Sequence, residues 1–404
     1  MIGQCNTRGE TGHRLSAIGC QEKSRERLSV RRGQEKVICP SQVKSGLAPR
    51  RARKTCTLPV GAIFTVSIPL TLTLNANQNQ WVGLDFNLSK AITSTGGISV
   101  DFSQAGVLTA TTTTRTGTPS GSVDTMEDFI GAVTVVSGTS VTVKSGISGV
   151  SLTAAINSNT ATHIAPSTYS GTCSGAGTAC VALGSIVSMD TMVSSSGAFT
   201  ATEIDVLDDA TVAAAVDEVE GVIYSVVGNS VGIVLADKTS SSGNSILAGA
   251  GTGTGIILDV SALNPTFSID TKTLTTPLPA PTGFTGTGDL FAGQVIRAQV
   301  TNIASGGSGI TASAKNVLLR FSRLSATIGT ISGSSFVILN LPSYITVLNP
   351  GLGANPLVGT YLNFTVFDGV TATTDANFTG TVSIRALYLH NAQTPFQAAK
   401  VRVP

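Results

Sequence analysis

One pattern of thirteen residues occurs three times in this chain, and it constrains the fold more than any other feature. It reads GAVTVVSGTSVTV at 131–143, GVIYSVVGNSVGI at 221–233 and ATIGTISGSSFVI at 326–338. When the copies are aligned on Gly138, Gly228 and Gly333, apolar residues coincide five and two positions before the glycine and three and five after it. A repeat of this kind predicts one structural unit that occurs three times, but it does not indicate an activity.

Each copy predicts a β-hairpin. Gly138, Gly228 and Gly333 would each stand first in a two-residue type II′ turn, where φ is positive and glycine is favoured. Such a turn pairs three sets of apolar residues across the hairpins: Val136 with Val141, Val226 with Val231, and Ile331 with Phe336. The next apolar residue lies three positions earlier, an odd spacing that strand alternation does not allow, so we expect a β-bulge in each first strand.

The fold class follows from this pattern and from the composition. The 404 residues include 44 glycines and only 12% charged residues, which is typical of β structure rich in turns. Each hairpin is followed by one or two middle strands and a closing pair of strands. We therefore predict an all-β protein with three tandem small β-barrels at 126–207, 220–317 and 318–404. The acidic stretch 208–219 is interpreted as a linker that makes the first barrel independent of the other two. The second and third barrels should be held rigidly to each other, because almost no linker separates them.

The segments before the barrels differ from them. Residues 1–57 hold 13 Lys+Arg against 4 Asp+Glu and show neither helical nor strand periodicity, whereas the remainder has 12 against 19. A basic tail for nucleic acid and a zinc site are alternatives, but we favour a disordered or non-native segment. Residues 58–115 predict a partial β domain too small for its own core. No stretch reaches the roughly 18 apolar residues of a membrane helix.

Few residues suggest chemistry. The loop SGTCSGAGTAC separates Cys173 from Cys180 by small residues only, so we predict a disulfide between them and an oxidising compartment. The glycine run at 249–255 resembles a phosphate loop but lacks the following Lys-Ser/Thr, which favours a flexible connection. No constellation for acid–base or nucleophilic catalysis is found, and we predict no catalytic residues, no metal and no cofactor.

Acidic and aromatic residues leave two further alternatives. Acidic groups near Glu127 and Glu218 could hold Ca²⁺ between domains, although solvated linker charge is the more common interpretation. The net acidic body argues against nucleic acid as a partner. Glycan binding needs exposed aromatic platforms, and Tyr224 lies on the bent first strand, where some barrels contact ligands.

The motif G-x-[VI]-x-x-[VI]-x-G-x-S-[VF], followed by a late G-x-x-V and an [FI]-T-A strand, is similar to an uncharacterised bacterial repeat family. That family is known as a domain of unknown function that occurs in tandem in exported proteins. The resemblance covers about 126–404, and WVGLDFNLSKAI at 81–92 resembles the end of an uncharacterised lipoprotein domain. It implies small barrels resembling the oligonucleotide/oligosaccharide-binding class, and export to the periplasm, outer surface or extracellular space. It also implies that a lipid anchor has been lost from the start of the chain.

From these observations we expect an exported, non-enzymatic structural or adhesive module of the bacterial cell surface, whose partner is an unknown surface component. A glycan-binding module is the alternative, and an enzyme of unidentified class is third.

Overall fold

The computed structural model describes most of the chain from residue 78 onward and three short strands before it. The described residues are 3–4, 26–29, 67–70, 78–116, 123–158, 160–164, 181–193, 197–214, 216–270, 283–307, 309–361 and 364–403. Cys173 and Cys180 lie outside these ranges, so their predicted disulfide stays a prediction. Among the described residues, no helix has the length and apolar character needed to cross a membrane.

The N-terminal part consists of short strands and one helical turn. Its elements are β1 (Gly3–Gln4), β2 (Glu26–Ser29), β3 (Ser67–Leu70), β4 (Gln78–Phe86), α1 (Leu88–Ala91) and β5 (Leu108–Thr116). β4 and β5 form an antiparallel pair with β1 on the far side of β4, and β2 pairs with β3. β1 and β2 lie within the segment 1–57, for which the sequence predicts disorder.

The first barrel, called barrel 1, is a closed sheet. Its strands are β6 (Val123–Ser137), β7 (Ser140–Lys144), β8 (Ser151–Ala155), β9 (Ala161–Ile164), β10 (Ile186–Val193) and β11 (Phe199–Asp208). They follow the order β10-β6-β7-β8-β11, and pairing of β10 with β11 closes the ring.

Barrel 2 repeats this arrangement with additional short elements. It contains α2 (Ala210–Ala213), β12 (Asp217–Val227), β13 (Ser230–Ser240), α3 (Ser245–Gly249), β14 (Gly255–Asp259), β15 (Thr266–Ile269), a 3-10 turn (Thr287–Asp289), β16 (Val295–Gly306), β17 (Gly309–Ala314) and β18 (Asn316–Arg320). The ring β12-β13-β14-β17-β16 closes where β16 pairs with β12. α2 is the single helical turn of the segment that the sequence assigned to a linker.

Barrel 3 starts one residue after β18. It contains β19 (Ser322–Ser332), β20 (Ser335–Leu339), α4 (Ser343–Leu348), β21 (Leu357–Gly359), β22 (Val366–Asp368), β23 (Thr381–Tyr388) and β24 (Phe396–Arg402). Its ring is β20-β19-β23-β24, and β21 pairs with both β20 and β24.

All three barrels share one topology, in which the third strand runs parallel to the fifth and the fourth closes against the first. A five-stranded Greek-key barrel with this strand order is the oligonucleotide/oligosaccharide-binding architecture. The predicted fold class is therefore confirmed.

The hairpin register agrees with the sequence pattern in every copy. Val136 pairs with Val141, Val226 with Val231 and Ile331 with Phe336. The register shifts between this pair and the next apolar pair in all three first strands, as a β-bulge requires. The inner residues Val141, Val231 and Phe336 are fully buried.

The turn geometry differs between copies. Gly228 and Gly333 have φ of 58° and 57°, as a type II′ turn requires at its first position. Gly138 lies outside the left-handed region, so the type II′ turn predicted there is wrong. In barrel 1 the Ser140 backbone N–H donates to the Ser137 hydroxyl at 3.1 Å, a local bond that competes with the regular turn.

Barrels 2 and 3 share their apolar cores, whereas barrel 1 has its own. One cluster joins α1 and Phe102 to Tyr224 of barrel 2 and Phe336 of barrel 3. A second cluster joins the interior of barrel 2 to Leu387 and other barrel 3 residues. The core of barrel 1 around Val133 is separate. The N-terminal segment thus has no core of its own among the described residues and packs on barrels 2 and 3.

The glycine run before β14 is explained by this packing. A Cβ at Gly253 would lie 2.7 Å from the Phe102 ring, and one at Gly255 would collide with Ile98. Gly253 therefore favours glycine through its φ of 92° and its close contact with the Phe102 ring, and Gly255 leaves room for Ile98, so these two glycines of the run let the N-terminal segment approach barrel 2 closely.

Candidate functional site

A β-bulge in β6 concentrates carboxylates on one side of barrel 1. Phe129 pairs with Met189 and Met126 with Thr191, so Glu127 and Asp128 together face the single residue Asp190. Asp128 adopts φ of 54°, and its backbone N–H donates to the Asp190 carboxylate at 2.7 Å. A regular strand would direct consecutive side chains to opposite faces. The bulge instead lets both Glu127 and Asp128 reach the cations of barrel 3.

Barrel 3 presents four cations to this acidic group. Arg323 on β19 pairs in register with Arg385 on β23, which pairs with Lys400 on β24. Arg402 follows two residues later on the same strand. Like charges directly opposite one another on adjacent strands repel and destabilise a sheet. This row, named the cation stripe (Arg323, Arg385, Lys400 and Arg402), therefore depends on opposite charge that lies over it.

Ion pairs join the two barrels directly. Arg385 donates to Asp128 at 2.5 Å and to Asp190 at 2.9 Å, so it bridges the two carboxylates. Glu127 binds Lys400, and it lies 3.2 Å from Arg402 and 3.4 Å from Arg323. Arg323 also pairs with Asp128 at 3.1 Å. Charge-assisted hydrogen bonds of this kind, in which one guanidinium bridges two carboxylates, fix the geometry as well as the charge.

The charges shift one another's protonation. Burial alone would raise the pKa of Glu127, but Arg323, Lys400, Arg402 and Arg385 outweigh burial and hold that pKa well below its ordinary value of 4.5. Burial lowers the pKa of Arg385, but Asp128 and the other carboxylates raise it well above its ordinary value. Both partners are therefore ionised at neutral pH.

Arg320 extends the network into barrel 2. It lies on β18, binds Asp270, and approaches Glu220 at 3.5 Å and Asp128 at 3.9 Å. Its side chain is only 3% exposed. A single arginine at the connection between barrels 2 and 3 thus contacts carboxylates of barrels 1 and 2.

A second buried group lies where β11 leads into barrel 2. Arg297 binds Glu218 and lies 3.6 Å from Glu220. Burial raises the pKa of Asp208 far above its ordinary value, and the neighbouring Glu218 carboxyl group adds to the rise. Burial also raises the pKa of Asp237 to about 7.

The interpretation of these acidic groups as solvated linker charge is wrong. Asp208, Asp217, Glu218 and Glu220 are all buried. Asp208 belongs to β11, and the other three belong to β12, so none of them lies in a linker. Sequence reasoning missed their cations because the partners are remote: Asp128 and Arg385 are 257 residues apart. The only local signal was two consecutive acidic residues inside an apolar strand. Within the described ranges, no group of metal-binding side chains has an arrangement that could hold an ion.

A cleft of about 220 Å³ opens beside the ion pairs. Its walls carry Glu127, Asp190 and Glu203 from barrel 1, and Arg385 and Lys400 from barrel 3. Thr191, Thr202, Met126, Val366 and Ala399 complete the lining. The cleft is thus the open margin of the junction between barrels 1 and 3.

The tyrosine considered for glycan binding, Tyr224, is internal, and so are Tyr344 and Tyr388. Tyr224, Tyr344 and Tyr388 are at most 5% exposed, and Tyr224 belongs to the core shared with barrel 3. His390 stacks on Phe291 with ring centroids 3.9 Å apart and accepts or donates a hydrogen bond with Tyr388. These rings serve as packing groups between barrels 2 and 3.

Comparison with known proteins identifies no relative. No protein-family model and no curated protein matches the chain. Among solved structures, one described as "drosophila Unr CSD456" has 8% sequence identity and a TM-score of 0.15. The match covers 69% of this chain and 98% of that one. At this TM-score the match supports no argument, and the fold assignment rests on strand order alone.

Proposed function

We propose that the protein is an exported structural or adhesive module of the bacterial cell surface, without a catalytic role. The observation that carries this proposal is the buried ionic network that joins all three barrels through Arg385 and Arg320. The charged groups that would otherwise be available for chemistry are engaged in holding barrels together. Export is supported by the resemblance of the repeats to an exported tandem-repeat family.

The hairpin tips supply a means of adhesion. Each tip leaves an apolar side chain in solvent: Val136 is 43% exposed, Val227 is 72% exposed and Ile331 is 39% exposed. Isolated exposed apolar residues are common, but here one lies within two residues of the turn glycine in each repeat: Val136 and Ile331 two positions before it, and Val227 one position before it. Three rigidly connected barrels would present three such tips to one partner surface, which multiplies weak contacts.

Replacing all three tip residues by Asp tests the adhesive role. Beads coated with the triple variant should lose attachment to bacterial cells, whereas beads coated with Val347→Asp should keep it. Val347 is 62% exposed and lies on α4, which follows the end of β20 opposite to the hairpin turn, so it is a matched control. Full attachment by a folded triple variant would refute adhesion through the tips.

Glycan binding remains the second candidate, on the outer face of barrel 1. There the Thr142 and Thr153 hydroxyls lie 2.8 Å apart on neighbouring strands, and Ser137 and Ser140 form a similar pair at the turn. Rows of hydroxyl groups on an exposed sheet suit hydrogen bonding to sugars. Binding on a glycan array that Thr153→Val abolishes would favour this function over the adhesive one.

A further inference from the structure

Barrel 1 is attached to the rest of the molecule differently from the other two barrels. Barrels 2 and 3 share two extensive apolar clusters. In contrast, the apolar contact of barrel 1 with its neighbours is a small cluster in which Ile130, Ile186, Leu207 and Ala213 meet Leu318. Ile147 adds one further contact against barrel 2. Charge therefore contributes a larger share of the attachment of barrel 1 than of the contact between barrels 2 and 3.

The charges at this junction are separated by barrel. Barrel 1 provides the carboxylates Glu127, Asp128 and Asp190, with Glu203 nearby, and barrel 3 provides the cation stripe. Asp368 of barrel 3 holds the outer side of Arg402 at 2.7 Å. If the carboxylates of barrel 1 lost their charge, the cations of the stripe would lose their partners across the junction. Their mutual repulsion and the cost of burying them would then be less well offset.

The connection between barrels 1 and 2 is short and contains little regular structure. β11 ends at Asp208, β12 begins at Asp217, and α2 is the one helical turn among the described residues of this connection. Barrel 1 can therefore leave barrel 3 by a change at this connection, without unfolding its own separate core.

We propose that barrel 1 is a proton-operated latch: protonation of its carboxylates releases it from barrel 3 and uncovers the cation stripe, while barrels 2 and 3 stay folded together. Glu127 is the central carboxylate of this latch, because it faces all four cations of the stripe: Arg323 from β19, Arg385 from β23, and Lys400 and Arg402 from β24. Asp128 and Asp190 lie beside it on β6 and β10, and Arg320 of β18 faces Asp128.

The direction of the pH effect follows from the charges. A carboxyl whose pKa is depressed in the closed state stabilises that state above its ordinary pKa, and this stabilisation is lost as the pH falls. The ordinary value for Glu127 is 4.5. The latch is therefore closed at neutral pH and opens progressively as the pH falls below that value.

Two measurements on the full chain test the latch. The first is small-angle X-ray scattering between pH 7 and pH 3.5, in which the radius of gyration should rise reversibly. The second is amine acylation at pH 7.5 of the double variant Asp128→Asn/Asp190→Asn, which removes both carboxylates bound by Arg385 and keeps the Glu127–Lys400 ion pair. Lys400 should be acylated at least about tenfold faster than in the wild type, because an open junction exposes its amine. Lys144, which is already exposed, should react at the same rate in both proteins.

Each outcome decides the proposal. Faster acylation of Lys400 with hydrogen exchange unchanged in β19 and β23 supports a latch. Faster acylation together with lost protection in those strands overturns it, because barrel 3 would then have unfolded. An unchanged acylation rate and a constant radius of gyration also overturn it.

Discussion

At the scale of single residues, the turn glycines are not equivalent. Gly228→Val places a β-branched side chain at φ of 58°, and we expect barrel 2 to lose about 1–3 kcal/mol of stability through backbone strain. Gly138→Val is the matched control, because Gly138 is outside the left-handed region and no atom lies within 4 Å of its Cβ position. Urea unfolding followed by hydrogen exchange in each barrel measures both. Equal losses at the two positions would show that positive φ is not the cause.

Arg385 is the residue on which the junction depends most. Arg385→Met leaves Asp128 and Asp190 without the guanidinium that bridges them, and removal of one member of a buried ion pair typically costs about 3–5 kcal/mol. Arg402→Met should cost about 1 kcal/mol or less, since Arg402 and its partner Asp368 are about one-third exposed. Chemical denaturation of the two variants compares these values, and similar losses would argue against a special role for Arg385.

At the scale of elements, the docking of the N-terminal segment can be tested at one glycine. Gly253→Ala combines φ of 92° with a Cβ that would lie 2.7 Å from the Phe102 ring, so we expect α1 and Phe102 to leave barrel 2. Gly243→Ala has a similar φ of 70° but nothing within 4 Å, and it should show the strain alone. Hydrogen exchange over 87–107 gives the measurement. Equal exchange in the two variants would mean that the segment does not dock through Gly253.

The sequence predicted the elements of the barrels better than their contacts. Hairpin pairing and bulges follow from local spacing around Gly228 and Gly333, so they could be predicted. The conformation at Gly138 could not be predicted in this way, because the Ser137 hydroxyl accepts a hydrogen bond from the Ser140 backbone N–H and changes the local hydrogen bonding. The ionic junction was also missed. The bulge at Asp128 that assembles it leaves no periodic pattern in the sequence, and the cations of the junction lie in another repeat.

At the scale of the whole molecule, barrel 1 is part of one body with barrels 2 and 3. The expectation that an acidic linker would make barrel 1 independent is wrong. Asp208, Asp217 and Glu218 of the supposed linker are buried, and Gly146 of barrel 1 packs directly against the Lys238 carbonyl of barrel 2. A destabilising change in barrel 3 should therefore be felt by barrel 1.

Stability should also depend on pH near neutrality. Burial raises the pKa of Asp237 to about 7 from an ordinary 3.8, so the folded state holds a proton that the unfolded state releases. The stability that this group contributes is complete below pH 3.8 and is lost as the pH rises through about 7. Asp237→Asn should flatten the pH dependence of the unfolding free energy between pH 5 and 8. Asp259→Asn, an exposed carboxylate of the same barrel with a lowered pKa, should leave the slope unchanged.

The most direct test of a molecule held together by buried charge is a double-mutant cycle across the junction between barrels 1 and 3. Asp190→Asn, Arg385→Met and the double variant are compared with the wild type by urea unfolding. Because the two side chains meet at 2.9 Å within a buried network, the coupling free energy should exceed about 1 kcal/mol. The pair Asp259→Asn and Arg385→Met, whose members share no ion pair, should be additive. Strict additivity of Asp190→Asn with Arg385→Met would mean that the two barrels do not meet through these charges and would contradict the central claim.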